Sequence, residues 1–303
     1  MGRFLKLLLT IAILGSLLLV SQQVLAQQWR PVRGGILFGI SGMAMIQQQN
    51  DSLDLLIVHD NKEKDQGRLA IITIKGKNQP EYFPLQWPKN TDLPIDLEGI
   101  TSVPGSYNPS FMALSSSGKI YHIKLDNSTK NISVLKVFNL QNIPDRSNFE
   151  AFALQEIDAK LLAVWAHRGK SEEAAIIYWG ILNPATYQIT KTGSVNLKVP
   201  WPTSNVRHIS DLKIDRAGIL FITSASDPGN DGPFESAVYV AGAFEISGNG
   251  IEFRQNPELV PLYRYDYHKI EAIELVPGAG GGVIVGTDDE NMGSFVYVGG
   301  GSG

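Results

Sequence analysis

Residues 97–100 read Leu97-Glu98-Gly99-Ile100, and this phrase has four echoes along the chain. They are Ile40-Ser41-Gly42-Met43, Phe149-Glu150-Ala151-Phe152, Ser210-Asp211-Leu212-Lys213 and Ile270-Glu271-Ala272-Ile273. Aligned on Ser41, Glu98, Glu150, Asp211 and Glu271, the segments are spaced 57, 52, 61 and 60 residues apart. After each phrase comes a second apolar run, such as Leu55-Leu56-Ile57-Val58, then a polar cluster and a third run, such as Lys119 to Leu125. In the first four segments a more variable fourth run closes the unit, as in Glu81-Tyr82-Phe83-Pro84-Leu85. Short β-branched and aromatic runs bounded by Gly, Pro, Asn and Asp read as strands, and no window sustains a helical period.

A four-stranded unit repeating at this interval is the signature of propeller blades. One blade cannot bury both of its faces, so several must pack around an axis. The sequence therefore predicts an all-β, five-bladed propeller, with six blades as the alternative should a weak segment be hidden. A pair of β-sandwiches does not account for the fivefold phrase. The last segment stops at its third strand, whereas Arg30 to Phe38 precede the first phrase as an orphan. We expect that N-terminal stretch to supply the outer strand of the last blade and so hide two sheet edges.

The 303-residue chain opens with Arg3 and Lys6, an apolar run from Leu7 to Val20 and the small-residue exit Val24-Leu25-Ala26. This is the pattern of a secretory signal over residues 1–26, leaving one domain over 27–303, secreted or periplasmic, without membrane insertion after cleavage. Loss of Arg3 and Lys6 takes the formal charge from −4 to −6. A mildly acidic surface with no Lys/Arg cluster excludes nucleic acid as a partner. With no cysteine in the chain, neither disulfides nor thiol chemistry is available, so stability must come from burial.

The phrases resemble the innermost strands of phytase-like propellers and of related exported propellers of the SdiA-regulated type, and Thr287-Asp288-Asp289-Glu290-Asn291-Met292-Gly293 adds to the likeness. The resemblance implies calcium near the channel and, in true phytases, phosphomonoester hydrolysis. This chain departs from that pattern in lacking a dense Lys/Arg run beside a dense Asp run.

Three constellations are candidates for chemistry. Equivalent positions in a propeller form a ring, which would bring Glu98, Glu150, Asp211 and Glu271 together near the axis. Like charges so placed must be protonated, solvated or neutralised, and a hard cation such as Ca²⁺ takes six to eight oxygens. The alternative is that each carboxylate accepts hydrogen bonds from the neighbouring blade. The polar clusters after the second strands add Asp60, Asp227, Asp288, Asp289 and Glu290 as possible Ca²⁺ ligands, or as turn residues. Before three of the phrases lie Arg146, Arg207-His208 and His268. Cations beside carboxylates suit an anionic ligand or a hydrolytic site with Glu150, Arg207, His208, Glu271 and His268 as its catalytic groups. Trp87, Trp165, Trp179 and Trp201 would suit a sugar platform or the interior of the blades. No nucleophile elbow, zinc-protease motif or phosphate-binding loop occurs. The leading expectation is a binding propeller, Ca²⁺-stabilised, for a small anionic ligand or a protein partner. A calcium-dependent phosphoesterase or esterase comes second and a carbohydrate-active propeller third.

Overall fold

The computed structural model describes residues 29–49, 51–106, 109–247, 250–277 and 281–299. The leader expected at residues 1–26 lies outside them. Five antiparallel sheets follow one another around an axis. Blade 1 is β2 (Gly42–Gln49), β3 (Ser52–Val58), β4 (Leu69–Lys75) and β5 (Glu81–Leu85); blade 2 is β6 (Leu97–Ser102), β7 (Ser110–Ser115), β8 (Lys119–Leu125) and β9 (Ile132–Asn139). Blade 3 is β10 (Phe149–Ile157), β11 (Lys160–His167), β12 (Ala175–Asn183) and β13 (Gln188–Leu197). Blade 4 begins with β14 (Val206–Ile214), β15 (Ile219–Ser226) and the long β16 (Glu235–Ser247). Two short strands, β17 (Gly250–Gln255) and β18 (Pro261–Asp266), share the outer edge of β16, an arrangement the repeat did not announce.

Blade 5 is β19 (Ile270–Leu275), β20 (Val283–Thr287) and β21 (Ser294–Gly299), completed by the N-terminal β1 (Arg30–Arg33). Arg30 pairs with Val296 and Pro31 with Phe295, so the expected ring closure is present. The strand is shorter than expected, because Ile36–Phe38 turn into a 3-10 segment. Each inner strand packs on the next, β2 on β6, β6 on β10, β10 on β14, β14 on β19, and β19 back on β2. Among the described residues no helix is long and apolar enough to cross a membrane.

The continuous apolar runs have a simple cause. Both faces of a blade are covered, and successive residues point to opposite faces. In β3, Leu56 and Val58 join the cluster shared with blade 2, whereas Leu55 and Ile57 join the one shared with blade 5. In β11, Ala163 and Trp165 face blade 2, and Leu162, Val164 and Ala166 face blade 4. The core is thus five interblade seams rather than one central mass.

Near the axis the seams narrow until backbone meets backbone. A Cβ on Gly99 would lie 2.9 Å from Phe152 N, and one on Gly42 would lie 3.0 Å from Glu98 O. Neither neighbour can move without shifting a strand. Gly99→Ala should therefore destabilise the propeller by about 1–3 kcal/mol, the usual cost of overpacking. A urea midpoint unchanged from wild type would show that the strands can part at no cost.

Candidate functional site at one end of the axis

Inner strands begin, and second strands end, at the same end of the channel. Here the repeated phrase acquires its physical meaning. Leu97 pairs with Ser115 and Gly99 with Leu114, so Glu98 is the extra residue of a bulge. Glu150, between Phe149 and Ala151, and Glu271, between Ile270 and Ala272, occupy the same place in their blades. A bulge re-aims its side chain and interrupts pairing, which frees each glutamate from the seam. These three meet electrostatically at the axis, together with Asp60 from the loop after β3.

Asp211 does not join them. Its side chain bonds Ile273 N at 2.9 Å, just as the Cβ position of Gly99 faces Phe152 N, so Asp211 is the equivalent of Gly99. Ser210 then stands where blades 2, 3 and 5 carry glutamate and blade 1 carries Ser41, and its Oγ donates to Ile270 O at 2.7 Å. Asp211 also accepts the Leu212 N–H at 2.7 Å and lies 3.8 Å from Lys213 Nζ. It is blade-to-blade glue, and burial pushes its pKa up to about 7.

Around the glutamates the structure places a ladder of alternating charge. Glu150 Oε1 accepts Asn148 Nδ2 at 2.9 Å and Arg168 Nη1 at 3.1 Å. Arg207 reaches Glu271 Oε1 at 2.5 Å through Nη1 and Asp227 Oδ2 at 2.7 Å through Nη2. Lys269 Nζ is 3.1 Å from Glu271 Oε1 and 3.7 Å from Asp288 Oδ2, and also bonds Glu290. Glu150 and Glu271 are 2 % and 3 % exposed. Burial raises the pKa of Glu150, and Arg207 and Arg168 only partly offset it. Burial would raise Glu271 too, but Lys269 and Arg207 outweigh it and hold this carboxyl below the ordinary range. Glu98 is pushed well above that range by burial and then by Glu150, Asp60 and Asp96, and Asp60 is pushed up to about 6 by burial, Glu271 and Asp96. Asp288 is raised by burial and by Glu271.

Several expected site residues lie elsewhere. His208 Nε2 faces Ser171 O at 2.8 Å and its Nδ1 accepts Val199 N–H, so it ties blade 4 to blade 3 and takes no place in the glutamate array. His268 Nδ1 is 2.6 Å from Asp289 Oδ2 and its ring lies on Trp29, with centroids 4.0 Å apart. Asp289 spends its other oxygen on Lys269 N and also accepts Thr287 Oγ1, which makes it a structural carboxylate rather than a metal ligand. Glu290 belongs to Lys269. Arg146 lies exposed in the loop before β10. Trp165 is stacked on Tyr178 and Trp179 packs against Phe244 and Phe253, both inside blades. Trp87 lies edge-on to Tyr121 and Trp201 lies under Arg264.

Sequence reasoning passed over Lys269 and Asp96. A signal was present: the residue two before the bulge is polar in Asp96-Leu97-Glu98, Asn148-Phe149-Glu150 and Lys269-Ile270-Glu271. Beside Asp227 the same face carries a depression of about 400 Å³ lined by Asn205, Ser226, Pro228, Phe234 and Tyr267. Tyr267 is 71 % exposed and sits at φ 69°, a left-handed backbone unusual for a bulky residue.

No family model matches the chain, and no curated protein does. Solved structures do. The α-L-arabinofuranosidase PaAbf62A of Podospora anserina aligns with a TM-score of 0.54 at 12 % identity, covering 90 % of this chain and 97 % of that one. The GH43 endo-arabinanase of Bacillus licheniformis gives 0.51 at 10 % identity, covering 89 % and 96 %. An exo-1,5-α-L-arabinanase from a bovine ruminal metagenomic library gives 0.53 at 9 % identity, covering 88 % and 94 %. The likeness is one of fold. At such identities residue roles do not transfer.

Proposed function

We propose that this end of the axis is a carbohydrate-processing site that hydrolyses a glycosidic bond, with Glu150 as proton donor and Glu271 as the ionised partner. The observation that carries the reading is the pair itself: two glutamates at equivalent bulges of β10 and β19, with Arg207 of the intervening blade bonded to one and electrostatically coupled to the other. Glycoside hydrolysis asks for one protonated and one ionised carboxyl at a single site. Environments that push two carboxyls apart in this way assign those roles. Tyr267 offers an exposed aromatic face in the depression that flanks Asp227. We take arabinose-containing glycosides first among substrates to try, because fold relatives are named for arabinan and arabinofuranoside hydrolysis.

A panel of 4-nitrophenyl glycosides headed by the α-L-arabinofuranoside, with linear arabinan and 4-nitrophenyl phosphate alongside, tests the reading. Turnover of a glycoside is expected, falling about 10²–10⁴-fold in Glu150→Gln with the melting temperature retained. Turnover of the phosphate alone would select a phosphoesterase instead. The burial of both glutamates under ion pairs favours a second reading, a propeller that binds its ligand without cleaving it; saccharide binding without turnover would select that one.

A further inference from the structure

We propose that Asp60, Asp96 and Glu98 form a binding site for one hard divalent cation of the Ca²⁺ class at the junction of blades 1 and 2. One carboxylate oxygen from each lies within 4.8 Å of the other two. Oxygens held 2.3–2.6 Å from one Ca²⁺ lie within about 5 Å of one another, so the three can share an ion once the exposed Lys62 side chain gives way.

The second observation is Glu98. It is 8 % exposed, and among the described residues its carboxylate has no hydrogen-bond or ion-pair partner. The glutamates of the other blades are answered by Arg168, Arg207 and Lys269, but this one, at the same bulge, has no cation of its own. A buried charge without a partner is costly unless something neutralises it. Asp60 likewise has neither a hydrogen bond nor an ion pair among the described residues. Asp96 is the most constrained. It holds a left-handed φ of 62°, its N–H bonds Asn61 O at 3.3 Å, and its Oδ2 accepts Ser116 Oγ at 2.5 Å. That leaves Oδ1, which meets Lys62 Nζ at 3.0 Å, an ammonium whose side chain is 61 % exposed and able to swing away. The strap from Asn61 to Asp96 therefore ties the two ligand-bearing segments together before any ion arrives. Three oxygens come from the chain, and water fills the remaining positions, as hard cations permit.

The test is calorimetric titration of metal-free protein with CaCl₂ and, in parallel, MgCl₂. One Ca²⁺ per chain is expected, with affinity reduced at least about tenfold in Asp60→Asn and in Glu98→Gln. Glu252→Gln, on an exposed outer strand, should bind as wild type. In metal-free protein Glu98→Gln should melt higher than wild type, whereas a glutamate serving the fold as glue would make it melt lower. Absence of Ca²⁺ binding at millimolar concentration, or unchanged binding in both variants, overturns the site. Should Glu98→Gln fail to fold, Asp60→Asn in its loop carries the test alone. No substrate enters the measurement, so its failure and that of the glycoside reading are separable.

Discussion

Lys269→Met should cost the propeller about 3–5 kcal/mol, the largest loss expected from any single side chain at the axis. Lys269 is 1 % exposed and its ammonium serves Glu271, Asp288 and Glu290 at once. Burial pulls its pKa down, but Glu271 and its fellow carboxylates more than reverse that, so the charge stays on. Methionine fills most of the stem's volume and removes only the charge. Glu271 would keep Arg207, but Asp288 would lose its only cation among the described residues. Urea unfolding of wild type and variant measures the cost. In the double variant Lys269→Met, Glu271→Gln the combined loss should be smaller than the two single losses added, because the second change removes a charge the first left exposed to repulsion. A loss under about 1 kcal/mol in Lys269→Met would place Lys269 among ordinary surface ion pairs and unseat the electrostatic account of the site.

Stability should fall as pH rises from about 4 to about 7, and Asp211 should be a main cause. Its folded pKa of about 7 stands above the ordinary aspartate value of about 3.8. Below 3.8 the carboxyl is protonated in both folded and unfolded chains and contributes its full stabilising difference. Between the two values the folded chain holds a proton that the unfolded chain has released, so stability declines with pH and the contribution is gone above about 7. At about 1.4 kcal/mol per unit this amounts to roughly 4 kcal/mol. The facing groups are Lys213 on its own strand and Glu274 on β19, with the N–H groups of Leu212 and Ile273. Burial likewise raises Asp60, to about 6, and adds a slope of the same sign. Urea midpoints near pH 5 and near pH 8 should lie closer together in Asp211→Asn than in wild type. That variant loses one accepted bond and some absolute stability, but also its titration. A wild-type midpoint rising over this range would contradict the assignment.

The blade count and the ring closure were legible because every inner strand must solve the same packing problem, and five copies of the solution recur at blade spacing. The candidate site was legible only where the repeat was strict. In blade 4 the repeat carries serine at the bulge and an aspartate one place later, and aligning by charge chose Asp211 over Ser210. That slip also produced the apparent match between His208 and His268: counted from Ser210, His208 falls level with Lys269. Arg207, one place earlier, is the side chain that enters the site. The doubled edge formed by β17 and β18 was hidden because either segment alone reads as an adequate outer strand. Which glutamate would be paired and which left bare depended on Arg168, Arg207 and Lys269, whose partners are set by the third dimension.

Lys213 of β14 donates to Ile100 O of β6 at 2.8 Å, reaching past β10 to a blade that is not its neighbour. On its far side lies a hollow of about 500 Å³ lined in part by Thr101, Gln155, Asp215 and Glu274. This side chain thus spans the axis from blade 4 to blade 2, between the glutamate end and that hollow. Under the proposed glycoside reading, substrate would enter and product would leave by the glutamate end, so product would have to clear before the next molecule could sit down. Under the same reading, a long polymer would be met at a tip or a bend laid over that mouth rather than threaded past Lys213. The chamber beyond Lys213 would then have no duty to that chemistry, and its sequence could change without affecting it.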